Sequence, residues 1–282
     1  MAAPALSTPF QPYVYQSPQS VVTPFQIIGG EAQLLQIMVK PEEKVMTRTG
    51  SMCYMSESMR MEAIGPADTV GYLLWQWFFG RTDTLSTITN KGQENGYVGL
   101  GAPSPARILP VDLAMFGGEL TICQRDSFLC SLNEVSIAPV VTRRIRPGLF
   151  GSEGFFMQKL AGRGLAFITA GGSVIQKNLG RGEIIIVDAS CLVAVTSNVE
   201  LDLKYAAPLR RAFFGGECPL HAHLTGPGVV FVQSLPFYRL AHKIARAVSA
   251  PHVRDNPRFF FQIAIFFFLA YVMIVSSLIL TE

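Results

Sequence analysis

Cys218, His221 and His223 fall within the run ECPLHAHLTGPG, and one thiolate with two neutral imidazoles is a donor set that suits a zinc-like ion. On a strand His221 and His223 would point to one face, and Glu217 would have to complete the set. This cluster is the basis of the alternative function, a metal-dependent β-barrel enzyme. Two alternating histidines on an exposed strand are more often simply solvated, and Pro219 breaks regular pairing beside them. The expectation is therefore no metal, no cofactor and no catalytic residue.

Glu43, Glu119 and Glu183 recur at equivalent places in the chain, and three carboxylates brought together would hold a hard cation. Each also follows a turn sequence, where a charged strand start facing water is the simpler reading. Arg143, Arg144 and Arg146 place three guanidiniums within four positions, a clamp for phosphate or lipid headgroups if they are not merely a solvated loop. Trp75 and Trp77 share the apolar run LLWQWFF with Phe79, and on a strand the three would form one aromatic face, an interface candidate. No nucleophile elbow, HExxH helix or Walker loop occurs.

The elements that must position these residues emerge from comparing the chain with itself. EKVMTRTGSMCYMSESMRM from Glu43, ELTICQRDSFLCSLNEVSI from Glu119 and EIIIVDASCLVAVTSNVEL from Glu183 align without gaps, 76 and 64 residues apart. Each copy runs from a β-prone stretch through a polar break into a second stretch, then ends in period-two alternation such as Met59-Arg60-Met61. The spacers read as hairpins, and no segment between residues 25 and 234 carries a long 3.6-residue period. The spacing predicts an all-β domain over 25–234, three related β units packed around a shared core with approximate threefold symmetry, with a pair of sandwiches as the alternative.

Outside it, residues 1–24 hold Pro4, Pro9, Pro12, Pro18 and Pro24 with no charge, the composition of a disordered segment. Neither a secretory signal nor a presequence is evident there. From 235 the pattern becomes helical: Leu240, Ile244 and Val248 repeat every four residues, while Arg239, Lys243 and Arg246 fall on another side. These three basic residues are the candidate membrane-surface contacts within an amphipathic helix and linker, 235–258, the other reading being a terminal helix that docks its apolar face on the domain. Residues 259–280 are 22 positions without a charge, roughly 33 Å as a helix, which predicts a C-terminal transmembrane tail anchor. Arg239, Lys243, Arg246, Arg254 and Arg258 precede it, so the folded part should face the cytosol.

The whole chain is 49% apolar and only 15% charged, with a formal net charge of +3, too mild to imply nucleic-acid binding. Five unpaired-looking cysteines read as free thiols of a reducing compartment.

GSMCYMSESMRM from Gly50, GAPSPARILPVDL from Gly101, GLFGSEGFFMQKLAGRGLAFITAGG from Gly148, GRGEIIIVDASCLVAV from Gly180 and GPGVVFVQSLPFYRLA from Gly226 resemble the altered-inheritance-of-mitochondria protein 24 family. That family is also labelled tryptophan RNA-binding attenuator protein-like. The resemblance covers about residues 25–248 and implies an all-β ribbon-sandwich built by internal duplication, commonly oligomeric and without established enzymatic activity. Fungal members of the family are mitochondrial. The combined expectation is a non-enzymatic, tail-anchored scaffold or adaptor in mitochondrial membrane organisation. Its partners would be the bilayer, copies of itself and proteins the sequence does not name, with no nucleic acid, and mitochondria are favoured over the endoplasmic reticulum.

Overall fold

A computed structural model of the chain describes residues 11–12, 25–64, 85–124, 127–132, 135–140, 157–205, 220–254 and 264–273. Two strands precede the repeats: β1 (Gln11–Pro12), which pairs with Gln176 and Ile175, and β2 (Phe25–Ile28). The remainder of 1–24 lies outside the described residues.

Three units of six strands follow. The first holds β3 (Leu34–Val39), β4 (Lys44–Arg48), β5 (Met52–Met55), β6 (Met59–Ile64), β7 (Leu85–Asn90) and β8 (Gly96–Gly101). The second holds β9 (Arg107–Asp112), β10 (Glu119–Ile122), β11 (Phe128–Leu132), β12 (Val135–Val140), β13 (Met157–Gly162) and β14 (Leu165–Ala170). The third holds β15 (Val174–Leu179), β16 (Ile184–Asp188), β17 (Leu192–Thr196), β18 (Glu200–Tyr205), β19 (Leu220–Thr225) and β20 (Gly228–Gln233).

Each unit repeats one topology. Its first, sixth and third strands pair in that order (β3-β8-β5, β9-β14-β11, β15-β20-β17), and so do its second, fifth and fourth (β4-β7-β6, β10-β13-β12, β16-β19-β18). The third strands share a local irregularity, with register shifts between Met52 and Tyr54, Phe128 and Cys130, and Leu192 and Ala194. A bulge at the same place in three copies is a recurrent feature of the unit, inserting one extra residue near the start of each third strand.

Units are joined by strands. β4 of the first unit pairs antiparallel with β11 of the second, and β10 of the second with β17 of the third. This produces a seven-stranded sheet (β1-β15-β20-β17-β10-β13-β12), a six-stranded sheet (β6-β7-β4-β11-β14-β9), a four-stranded sheet (β2-β3-β8-β5) and a three-stranded sheet (β16-β19-β18).

Three apolar clusters replace the single shared core expected from the repeat. In the first, Leu35, Ile37, Val45, Met59, Ile88 and Val98 meet Ile108, Leu129 and Phe167 of the next unit. In the second, Leu120, Ile122, Leu160 and Ile168 meet Val193, Ala194 and Phe231 of the third. The third gathers Leu192, Val195, Ala222, Leu224 and Val230 of its own unit with Cys123 and Met157 of the second. Each unit is too small to cover its sandwich alone, so it borrows a face from its neighbour.

Contacts divide the chain into Met1–Phe237 and Tyr238–Glu282. At the boundary starts helix α1 (Phe237–Arg254). The transmembrane helix expected over 259–280 is corrected: among the described residues no helix is long and apolar enough to cross a membrane. The helical stretch described there runs 264–273, about 15 Å at the helical rise, half of a hydrocarbon core. The rest of 259–280 lies outside the described residues. The tail anchor and the cytosol-facing single-pass topology rested on that span and are not supported.

Candidate functional site

The repeated glutamates are separated, and each works where it stands. Glu43 Oε2 accepts the backbone N–H of Lys40 at 2.9 Å, and Glu183 Oε2 accepts that of Gly180 at 2.9 Å, each closing the turn that leads into its strand. At the tips of these turns Glu42 (φ 60°) and Gly182 (φ 76°) hold the left-handed conformation the turns require. Glu119 pairs instead with Lys159 at 2.8 Å on β13. Glu183 also carries the most enclosed ion pair among the described residues, Oε1 to Lys177 Nζ at 2.8 Å, with side chains 17% and 7% exposed. No shared cation site arises from them.

His221 and His223 do share a face of β19, both half-buried. The register sets His221 between Asp188 of β16 and Lys204 of β18, and His223 between Ile186 and Asp202. Among the described residues, however, no three His, Cys, Asp or Glu side chains are grouped so as to hold a metal ion. Cys218 and Glu217 lie outside the described residues, as do Trp75, Trp77, Phe79, Arg143, Arg144 and Arg146.

The cysteines divide by depth. Burial pushes the Cys123 thiol up to about 12 and the Cys130 thiol well above its ordinary value, so neither forms a thiolate nucleophile near neutral pH. Cys53 is exposed at the β5 bulge.

Among the described residues, two exposed apolar surfaces stand out besides the helical stretch 264–273. On α1, Phe237, Ile244 and Val248 recur at helical spacing and are 57%, 54% and 71% exposed. Arg239 is half-buried and Lys243 exposed one turn on, with Arg246 at the following place of that row. The other surface escaped the sequence reading: the outer edges of β5 and β16. Tyr54 and Met55 on β5 and Ile184 and Ile186 on β16 are exposed apolar side chains on terminal strands of their sheets. The signal was present as EIIIV in the third copy, where the first has EKVMT, but it spoke only once the pairing of units was known.

A solved X-ray structure of a Streptococcus pyogenes protein is similar to this chain, with a TM-score of 0.65 at 18% identity, covering 79% of this chain and 98% of that one. At that identity the likeness concerns the fold. No curated protein matches the sequence. The profile of the family described as mitochondrial biogenesis AIM24 matches residues 25–235, the span of the three β units, and the chain belongs to that family.

Proposed function

We propose that this chain is a non-enzymatic scaffold of mitochondrial biogenesis, whose β units self-associate and whose basic amphipathic helix lies against an anionic membrane surface. The observation that carries the reading is α1, with Phe237, Ile244 and Val248 exposed along one row and Arg239, Lys243 and Arg246 at the helical positions across from it. A helix so divided rests in the plane of a bilayer interface, apolar row inward, and each basic residue near an anionic surface contributes about 1 kcal/mol. The family description supports the mitochondrial setting. That Glu43, Glu119 and Glu183 serve turns and ion pairs, and that Cys123 and Cys130 serve the core, supports a structural role.

Flotation of the full chain with vesicles tests this. The expected result is preference for vesicles containing anionic phospholipid over neutral ones, reduced on the order of tenfold by Lys243→Glu, since reversal removes one attraction and adds one repulsion. Equal binding to both vesicle types, unmoved by Lys243→Glu, would overturn the membrane-surface role.

A further inference from the structure

The two junctions between units are one interface used twice. The second strand of a unit, β4 or β10, pairs antiparallel with the third strand of the next, β11 or β17. The third unit also has a second strand, β16, and the first unit a third strand, β5. Among the described residues nothing pairs with the outer edge of either.

Burial records the missing neighbours. In β4 the inward residues Val45 and Thr47 are 0% and 1% exposed, and in β10 Leu120 and Ile122 are both 0%. Their counterparts in β16, Ile185 and Val187, are only half-buried, and Ile184 and Ile186 stand 62% and 58% exposed. Every residue of β11 and of β17 is buried, whereas β5 has none buried. Among the described residues the third core lacks a covering strand, and the first unit has a covering strand with nothing to cover.

The backbone groups match as well. Gly226 N–H donates to Glu183 C=O at 2.9 Å, so the alternation of an antiparallel ladder turns Ile185 and Val187 toward β19 and leaves the N–H and C=O of Ile184 and Ile186 pointing outward. Ser56 N–H donates to Tyr97 C=O at 2.9 Å, which by the same alternation leaves the groups of Met55 outward on β5. The Tyr54 side chain does not obstruct that edge: it lies back over Gly99 and its hydroxyl donates to Gln36 Oε1 at 2.7 Å.

We infer that β16 of one copy of this chain pairs antiparallel with β5 of a second copy, continuing across molecules the interface the chain uses twice within itself. The β4–β11 register, in which Met46 faces Ser131 and Thr47 faces Cys130, carries over by the repeat to Ile186 facing Met55 and Val187 facing Tyr54. The two edges are different surfaces, so the contact is head-to-tail and each added copy presents a fresh β16 edge until a ring closes. Pairing removes two apolar edges that would otherwise invite indiscriminate association. This deepens the self-association in the proposed function and rests on it.

The test uses the full chain in mild detergent, with mass read by analytical ultracentrifugation at detergent density match. Wild type is expected at multiples of 30.9 kDa. Ile186→Pro and Met55→Pro each remove only an outward N–H, which an edge strand tolerates, and each should reduce the mass to a single chain. Mixed one to one, the two variants retain one usable junction between them and should form a dimer and nothing larger. Circular dichroism checks that the strands persist; if a proline variant loses them, Ile186→Lys or Met55→Lys replaces it. An oligomer unmoved by both variants, or a mixture that stays monomeric, overturns the pairing while leaving self-association by another surface. A monomeric wild type overturns both.

Discussion

Lys177 projects from the centre of β15 and is 6% exposed, its Nζ 2.8 Å from Glu183 Oε1. A buried pair contributes little over an apolar replacement, but removing one partner strands a charge in a poorly solvated site. Lys177→Met should therefore cost about 3 kcal/mol, and adding Glu183→Gln should recover most of it, measured by urea unfolding of the single and double variants. Recovery, rather than an additive second loss, is the outcome that identifies the pair. The same residue scale explains why the repeated glutamates are not a cation site. A carboxylate two or three residues past a tight turn finds a backbone N–H locally, as Glu43 and Glu183 do, before it can reach another copy.

At the scale of elements, the turn between the first two strands of a unit is set by one left-handed residue, Glu42 in the first unit and Gly182 in the third. A Cβ at Gly182 would meet no atom within 4 Å, so any cost of adding one is backbone strain alone. Gly182→Ala should lower stability by about 1 kcal/mol, and Glu42→Gly should be neutral or mildly stabilising, both read from denaturation midpoints. Larger loss at Gly182 would mean that the turn makes contacts beyond its own backbone. Strand edges belong to this scale too: β4 and β16 are homologous strands, yet one is covered and the other open, because burial of a strand depends on its neighbour and not on its own sequence.

At the scale of the molecule, shared strands should make the three units unfold together. β11 completes the first core and β17 the second, so losing one unit uncovers the next. Both tryptophans of the chain, Trp75 and Trp77, belong to the first unit's sequence, while Lys177 belongs to the third. The midpoint read by tryptophan fluorescence should accordingly shift with Lys177→Met by as much as the midpoint read by far-ultraviolet circular dichroism. A fluorescence midpoint that stays in place would show units that unfold independently.

The sequence by itself determined the repeat, its strands and the amphipathic helix, because these rest on local chemistry. Period-two alternation, glycines at turns and a four-residue apolar recurrence act over a few residues, and β4 to β6 and β16 to β18 lie where the aligned copies put them, while β10 is shifted by one residue, Glu119 taking the place of Lys44 and Ile184. The turn-closing work of Glu43 and Glu183 was also local, and their position after a turn was the clue to it. Only the tertiary structure decided how the copies join. Self-comparison shows that three units are alike but not which strand of one lies beside which strand of another, since that pairing is made by residues some 80 positions apart, as Thr47 is bonded to Leu129. The expectation of one shared core failed for that reason, and the open edges of β5 and β16 could not be seen without it. The membrane span is unsupported for a different one: an uncharged run supplies enough residues to cross a bilayer, but among the described residues no helix is long and apolar enough to do so.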